Sequence, residues 1–194
     1  MRLVVGISGS TGSIYGIRLL EVLRAFPDLE THLIITGPAK RTLVEETDYA
    51  VKDVEALATH VHDNRDIGAA LASGSFKTAG MVILPCSIRT AAALASCCGD
   101  TLLCRAGDVT LKEGRPLVVG VRETPLHLGH LRQLALLAEM GAVIFPPMPA
   151  FYNHPKTLED IVDETVGRIL DRLGLAHGRT REWTGTRSAR MPAP

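Results

Sequence analysis

Short runs of branched apolar residues alternate along this chain with stretches whose apolar positions recur every three or four residues. Leu3–Ile7, Thr31–Thr36, Met81–Pro85, Pro116–Val121 and Ala142–Phe145 are apolar on successive rather than alternate positions, which predicts strands buried on both faces. Helical spacing covers Ser13–Phe26, Pro38–Thr47, Ser87–Ser96, Thr101–Lys112, Pro125–Met140 and Thr157–Leu173. Repeated strand-then-helix order predicts an open, doubly wound α/β sheet, mostly parallel, with helices on both faces. Val51–Lys77 interrupts the pattern with mixed polarity and ends in the glycine-bearing stretch Ala72–Lys77, which reads as a connector or a mobile lid. Beyond Leu175 the chain becomes Arg-rich, carries Trp183 and ends in Pro192–Pro194. Residues 1–175 are therefore expected to form one domain, and 176–194 a tail that frays toward its end.

In such a sheet ligands bind beyond the carboxyl ends of the strands. The chemistry-bearing residues fall there. Gly6-x-Ser8-Gly9-x-x-Gly12 lies between the first strand and the first helix, where it makes either a purely structural turn or a loop whose N–H groups meet an anion. Ser87 stands where a helix begins, so it reads as an N-cap or, with Arg89 and Thr90, as part of a ligand site. Arg105 and Lys112 are two helical turns apart on one face, as a solvated basic face would place them. Arg122 and Glu123 end a strand, a position that favours contact with a ligand or a pairing partner. Tyr152 and Arg168 read equally as surface residues. His127 and His130 have helical spacing but no third ligand, so no metal site is expected.

Composition narrows the picture further. Lysine plus arginine equals aspartate plus glutamate at 21 each, so no overall field draws the chain to nucleic acid or an anionic membrane, and any anion site must be local. No apolar run approaches the roughly 20 residues of a membrane helix. The amino terminus runs straight into a strand-like segment without the pattern of a secretory signal, which implies a cytoplasmic protein. The four cysteines, Cys86, Cys97, Cys98 and Cys104, form no CxxC pair and are expected to be small buried hydrophobes.

Taken in order, six blocks resemble the flavin prenyltransferase family of the UbiX/Pad type: Gly6–Gly16, Ala72–Lys77, Leu84–Thr90, Arg105–Glu113, Arg122–Leu126 and Gly141–Tyr152. The resemblance implies a flavodoxin-like fold, a dodecamer, and FMN held between subunits by Gly9, Ser10, Thr11, Thr36, Ser87, Ile88, Arg89, Thr90 and Arg122. It places a prenyl phosphate among Arg105, Lys112, Arg122, Tyr152 and Arg168, and makes Glu123 the acid/base candidate, with Thr11 close to the reacting flavin nitrogen. The implied reaction joins the allylic carbon to N5 of reduced FMN, then closes a fourth ring through a second bond from the prenyl group to C6, without a metal, and delivers the product to a UbiD-type decarboxylase. In keeping with this, the chain has no aspartate-rich cluster of the kind that holds Mg²⁺ on a diphosphate. Thr11 and Thr36 stand where the family has serine, and Arg89 where it often has lysine. The alternatives are an FMN-dependent cysteine decarboxylase, against which Pro147-Met-Pro149 lacks the expected asparagine, and a non-catalytic flavin carrier.

Overall fold

The computed structural model describes residues 1–180, so Trp183 and the terminal Pro192–Pro194 lie outside the described residues. Six parallel strands form the central sheet: β1 (Arg2–Ile7), β2 (Glu30–Ile35), β3 (His60–His62), β4 (Met81–Cys86), β5 (Leu117–Val121) and β6 (Val143–Ile144), in the order β3-β2-β1-β4-β5-β6. Without the short edge strand β3, the order is that of flavodoxin-like sheets. The helices are α1 (Ser13–Leu23), α2 (Gly37–Glu46), α3 (Val51–Glu55), α4 (Ile88–Ala95), α5 (Leu102–Lys112), α6 (Leu128–Glu139) and α7 (Leu158–Arg172).

Successive side chains of a strand point to opposite faces, so doubly apolar strands feed two cores. Leu3, Val5 and Ile7 of β1 pack with Ile17, Leu20, Val166 and Leu170 of α1 and α7 on one face. Val4 joins Ile83, Leu94, Leu103, Val119 and Leu137 on the other. Arg18 of α1 clamps α7, its Nε 2.6 Å from Asp163 Oδ1 and its Nη2 3.1 Å from Asp163 Oδ2.

The sheet meets the expectation of a mostly parallel one, being parallel throughout among the described residues, and the excursion holds α3, β3 and a 3₁₀ turn at Ala70–Ala72. Other details differ from expectation. Strand β3 escaped notice because it is a three-residue edge strand with two exposed positions, too short to show a period. Helix α6 starts at Leu128 because His127 is its N-cap: the imidazole Nδ1 accepts hydrogen bonds from the N–H groups of Gly129 (3.0 Å) and His130 (3.4 Å). Pro85 brings no N–H to β4, and the β4/β5 register shifts between Ile83 and Cys86. Only Cys86 and Cys104 are buried; Cys97 and Cys98 are exposed because they make the turn between α4 and α5, where Cys97 takes a left-handed φ of 53°. At the β2/β3 edge His32 is buried, and that burial pushes its imidazole down to about 4, leaving it neutral. No helix among the described residues is long and apolar enough to cross a membrane.

Candidate active site

The chain reverses direction across the sheet between β1 and β4, so the loops that follow these strands diverge and leave a crevice. Ser8, only 1% exposed, ties the two loops together. Its hydroxyl accepts the Ser87 N–H at 2.8 Å, while its own N–H donates to the Pro85 carbonyl at 3.1 Å. A cavity of about 630 Å³ opens beside this junction, lined by Gly9, Thr36, Pro38, Ser87, Ile88, Arg89, Thr90, Leu103, Cys104 and Glu123 among others. That volume lies inside the roughly 300–1,000 Å³ span of small-molecule sites.

Two helix starts flank the cavity. The Thr36 hydroxyl caps α2 by accepting the Ala39 N–H at 3.3 Å. Ser87 caps α4 in the same way, accepting the Thr90 N–H at 3.3 Å and donating to the Thr90 hydroxyl at 3.1 Å. Both hydroxyls therefore orient the first turns, whose remaining N–H groups and positive dipole ends favour an anion. Ile88, Ala93 and Leu103 supply an apolar wall beside these donors. A ligand that joins a flat ring system to a phosphate, as FMN does, fits this combination. Gly9 matters sterically, since a Cβ there would stand 2.5 Å from Pro38 Cβ and push α2 off the loop.

The glycine loop meets an anion supplied by the chain itself. The N-terminus of α1 already holds an anion, the Glu46 carboxylate, which accepts the N–H groups of Gly12 (2.8 Å) and Ser13 (3.1 Å). Partial burial pushes the Glu46 pKa up, but the hydrogen bonds from the Thr11 hydroxyl and from the Ser13 and Gly12 amides outweigh it and hold the carboxyl below its ordinary range. Thr11 is thus exposed but tied to an internal acid. Glu46 went unnoticed because it lies 34 positions from Gly12. One signal was available: α2 ends in Glu45-Glu46, and acids are disfavoured at a helix C-terminus. Ser10 donates its hydroxyl to the Arg122 carbonyl at 2.7 Å, and the Arg122 N–H donates to the Cys86 carbonyl at 3.0 Å, so the β5 end is fastened to the same loops.

The expected phosphate ligands are dispersed within one chain. Tyr152 and Arg168 meet at a separate cavity of about 210 Å³ with Phe145, Met148 and Thr165. Arg105 lies 2.6 Å from Asp108 on α5. Lys112, at the far end of that helix, contacts Glu113 beside Gly74. The Arg168 guanidinium stands 4.0 Å from Asp171.

Residues 1–170 match the Flavoprotein family. The chain is 57% identical over 174 residues to the flavin prenyltransferase UbiX of Escherichia coli K12, covering 90% of this chain and 92% of that one. The chain belongs to the flavin prenyltransferase family. Against UbiX of Salmonella typhimurium LT2 the identity is 54% over 186 residues, with 95% and 98% of the two chains covered. The crystal structure of AnUbiX (PadA1) in complex with FMN and dimethylallyl pyrophosphate superposes with a TM-score of 0.93 at 45% identity, covering 96% of this chain and 98% of that one. A dodecameric FMN-dependent UbiX-like decarboxylase from Escherichia coli O157:H7 gives 0.93 at 48%, covering 95% and 100%. The FMN-dependent cysteine decarboxylase SpaF, at 22% identity and a TM-score of 0.61 with 75% and 83% covered, shares the fold.

Proposed function

We propose that this flavin prenyltransferase moves a dimethylallyl group from dimethylallyl monophosphate to reduced FMN and supplies the prenylated flavin to a UbiD-type decarboxylase. The observation that carries the reading is the crevice at the β1/β4 switch point, with two helix starts, an apolar wall and Glu123 in one cavity. Bound reduced flavin would supply the nucleophilic N5 and C6 atoms. Gly9, Thr36 and Ser87–Thr90 would hold it, with Ser10 and Arg122 at the loop that joins β1 to β5. Glu123 would serve ring closure as acid and base, giving the prenyl double bond the proton that makes its far carbon electrophilic and taking the proton that C6 loses, and Thr11, oriented through Glu46, presents its hydroxyl at the loop.

Departure of phosphate from an allylic carbon builds negative charge that fixed cations stabilise. Arg105, Lys112, Arg122, Tyr152 and Arg168 are the groups suited to this. Their dispersal within one chain supports a site completed between subunits of a homo-oligomer, and a solved relative is a dodecamer. A reducing, cytoplasmic setting suits both the reduced flavin and the free thiols of Cys86, Cys97, Cys98 and Cys104.

The test is anaerobic incubation of the purified protein with reduced FMN and either dimethylallyl monophosphate or the pyrophosphate, followed by mass spectrometry of the released flavin. A flavin heavier by one prenyl unit, formed faster from the monophosphate, is expected. No such product from either donor would refute the reading.

A further inference from the structure

We propose that Glu30, His32 and His60 form a binding site for one divalent transition-metal ion of the zinc class, at the sheet edge on the amino-terminal side of β2 and β3. Strands β2 and β3 pair in parallel with His32 directly opposite His60, and Glu30 lies two positions before His32, on the same face. One ligating atom from each of the three residues lies within 4.8 Å of the others. His32 Nε2 is 4.0 Å from Glu30 Oε2, and the His32 and His60 rings stack at 4.6 Å.

The decisive group is His32. It is 5% exposed, and its Nε2 is buried without a hydrogen-bond partner. Its Nδ1 lies 3.0 Å from His62 Nε2. Two tautomers satisfy that contact. If His62 donates, His32 carries a buried N–H at Nε2 whose nearby acceptor, Glu30 Oε2, stands 4.0 Å away, beyond hydrogen-bond reach, a state that costs free energy. If His32 donates from Nδ1, Nε2 keeps a free lone pair 4.0 Å from Glu30 Oε2, with the His60 ring stacked alongside. That is the arrangement of a metal-bound histidine, in which the second ring nitrogen donates to an outer partner. His62 is that partner.

Tetrahedral zinc with bonds of about 2.0–2.2 Å brings its ligand atoms to about 3.4 Å apart, so the set must close by up to about 1.4 Å. Glu30 and His60 are exposed and able to make that movement around the fixed His32. Arg2 donates to Glu30 Oε2 at 3.2 Å and lies over the Phe76 ring. It thereby engages the carboxylate oxygen nearest His32 Nε2, so an ion is bound either by that shared oxygen or by a small turn of Glu30 that brings its second oxygen round. Two imidazoles and one carboxylate beside a guanidinium suit a metal that bonds nitrogen well, and exclude Mg²⁺ and Ca²⁺, which prefer all-oxygen sites. The bound ion would join the first residue of the three-residue strand β3 to β2 and fix where that strand begins.

The test uses the full-length, tag-free protein after chelation and dialysis. Titration with Co²⁺ alone should give visible ligand-field bands saturating at one ion per chain, and Zn²⁺ should displace it. His60→Ala and Glu30→Gln should each weaken Co²⁺ binding more than about tenfold. A hundredfold excess of Zn²⁺ over its Kd should raise the Tm of the parent protein by about 5 °C, and not that of His60→Ala. A Cys97→Ser/Cys98→Ser variant should bind as the parent does. Absence of stoichiometric binding, unchanged binding by both ligand variants, or loss of binding in the cysteine variant would each overturn the site.

Discussion

Replacing Glu46 measures how an acid from elsewhere in the chain holds the glycine loop between β1 and α1. Its carboxylate receives the Gly12 and Ser13 N–H groups at 2.8 and 3.1 Å, together with the Thr11 hydroxyl. Its charge helps the N-terminus of α1 and opposes the C-terminus of α2; each effect is worth about 0.3–1 kcal/mol, so the two nearly cancel. What remains is the hydrogen bonding. Glu46→Ala should cost about 1–2 kcal/mol, in line with the loss of a helix cap, because Glu46 is exposed and water replaces part of what it gives. Glu46→Gln keeps a neutral acceptor and should cost about half as much. For a chain of this size these losses correspond to Tm decreases of about 4 °C and about 2 °C. The sign of the pH dependence follows from a folded carboxyl held below its ordinary value of 4.5. Its contribution is complete above that value and fades as pH falls through the folded one, so parent and Glu46→Ala should differ at pH 7 and converge in acid. Both variants should also slow flavin prenylation by freeing the Thr11 hydroxyl. A Glu46→Ala protein that melts with the parent at pH 7, or a Glu46→Gln protein as unstable as Glu46→Ala, would refute the account.

Gly16→Ala would set a Cβ 2.4 Å from the Leu84 carbonyl oxygen and 2.9 Å from Ile7 Cδ1, so α1 must lift from the sheet at a cost of about 2–3 kcal/mol, read by thermal melting. Asp163→Asn should cost only about 1 kcal/mol, since the Arg18–Asp163 side chains are 34% and 35% exposed and the pair is screened; the loss should shrink with added salt. Glu123→Gln should slow product formation by about a hundredfold or more with the Tm unchanged, and an unaltered rate would remove Glu123 from proton transfer. Lys112→Ala and Arg168→Ala should each raise the KM for the prenyl donor, and co-expressed mixtures of the two should recover part of the activity if neighbouring subunits share the site; no recovery would assign both residues to one subunit.

What could be read in advance depended on whether a feature is written locally. The four longer strands, the two-residue β6 with its apolar flanks and the six main helices follow from runs and periods within a dozen residues, and Ser87 was recognisable as an N-cap from its place between strand and helix. Strand β3 has only His-Val-His to announce it, and its pairing with β2 depends on residues about 30 positions away. The site divides the same way. Gly9, Thr36, Ser87–Thr90 and Glu123 each follow a strand, and parallel topology collects strand ends at one edge, so local reading sufficed to gather them. Glu46 ends a helix instead of a strand, and His32 faces His60 only because β2 and β3 are neighbours. Both are polar side chains made necessary by a backbone partner far away in sequence, and each breaks a local rule: an acid at a helix C-terminus, and a buried imidazole with an unpaired nitrogen. Local rules therefore inform most where they fail, because such a failure needs a compensating contact from elsewhere in the fold. For Glu46 that contact is the α1 N-terminus. For His32 the missing contact is the one a metal ion would supply.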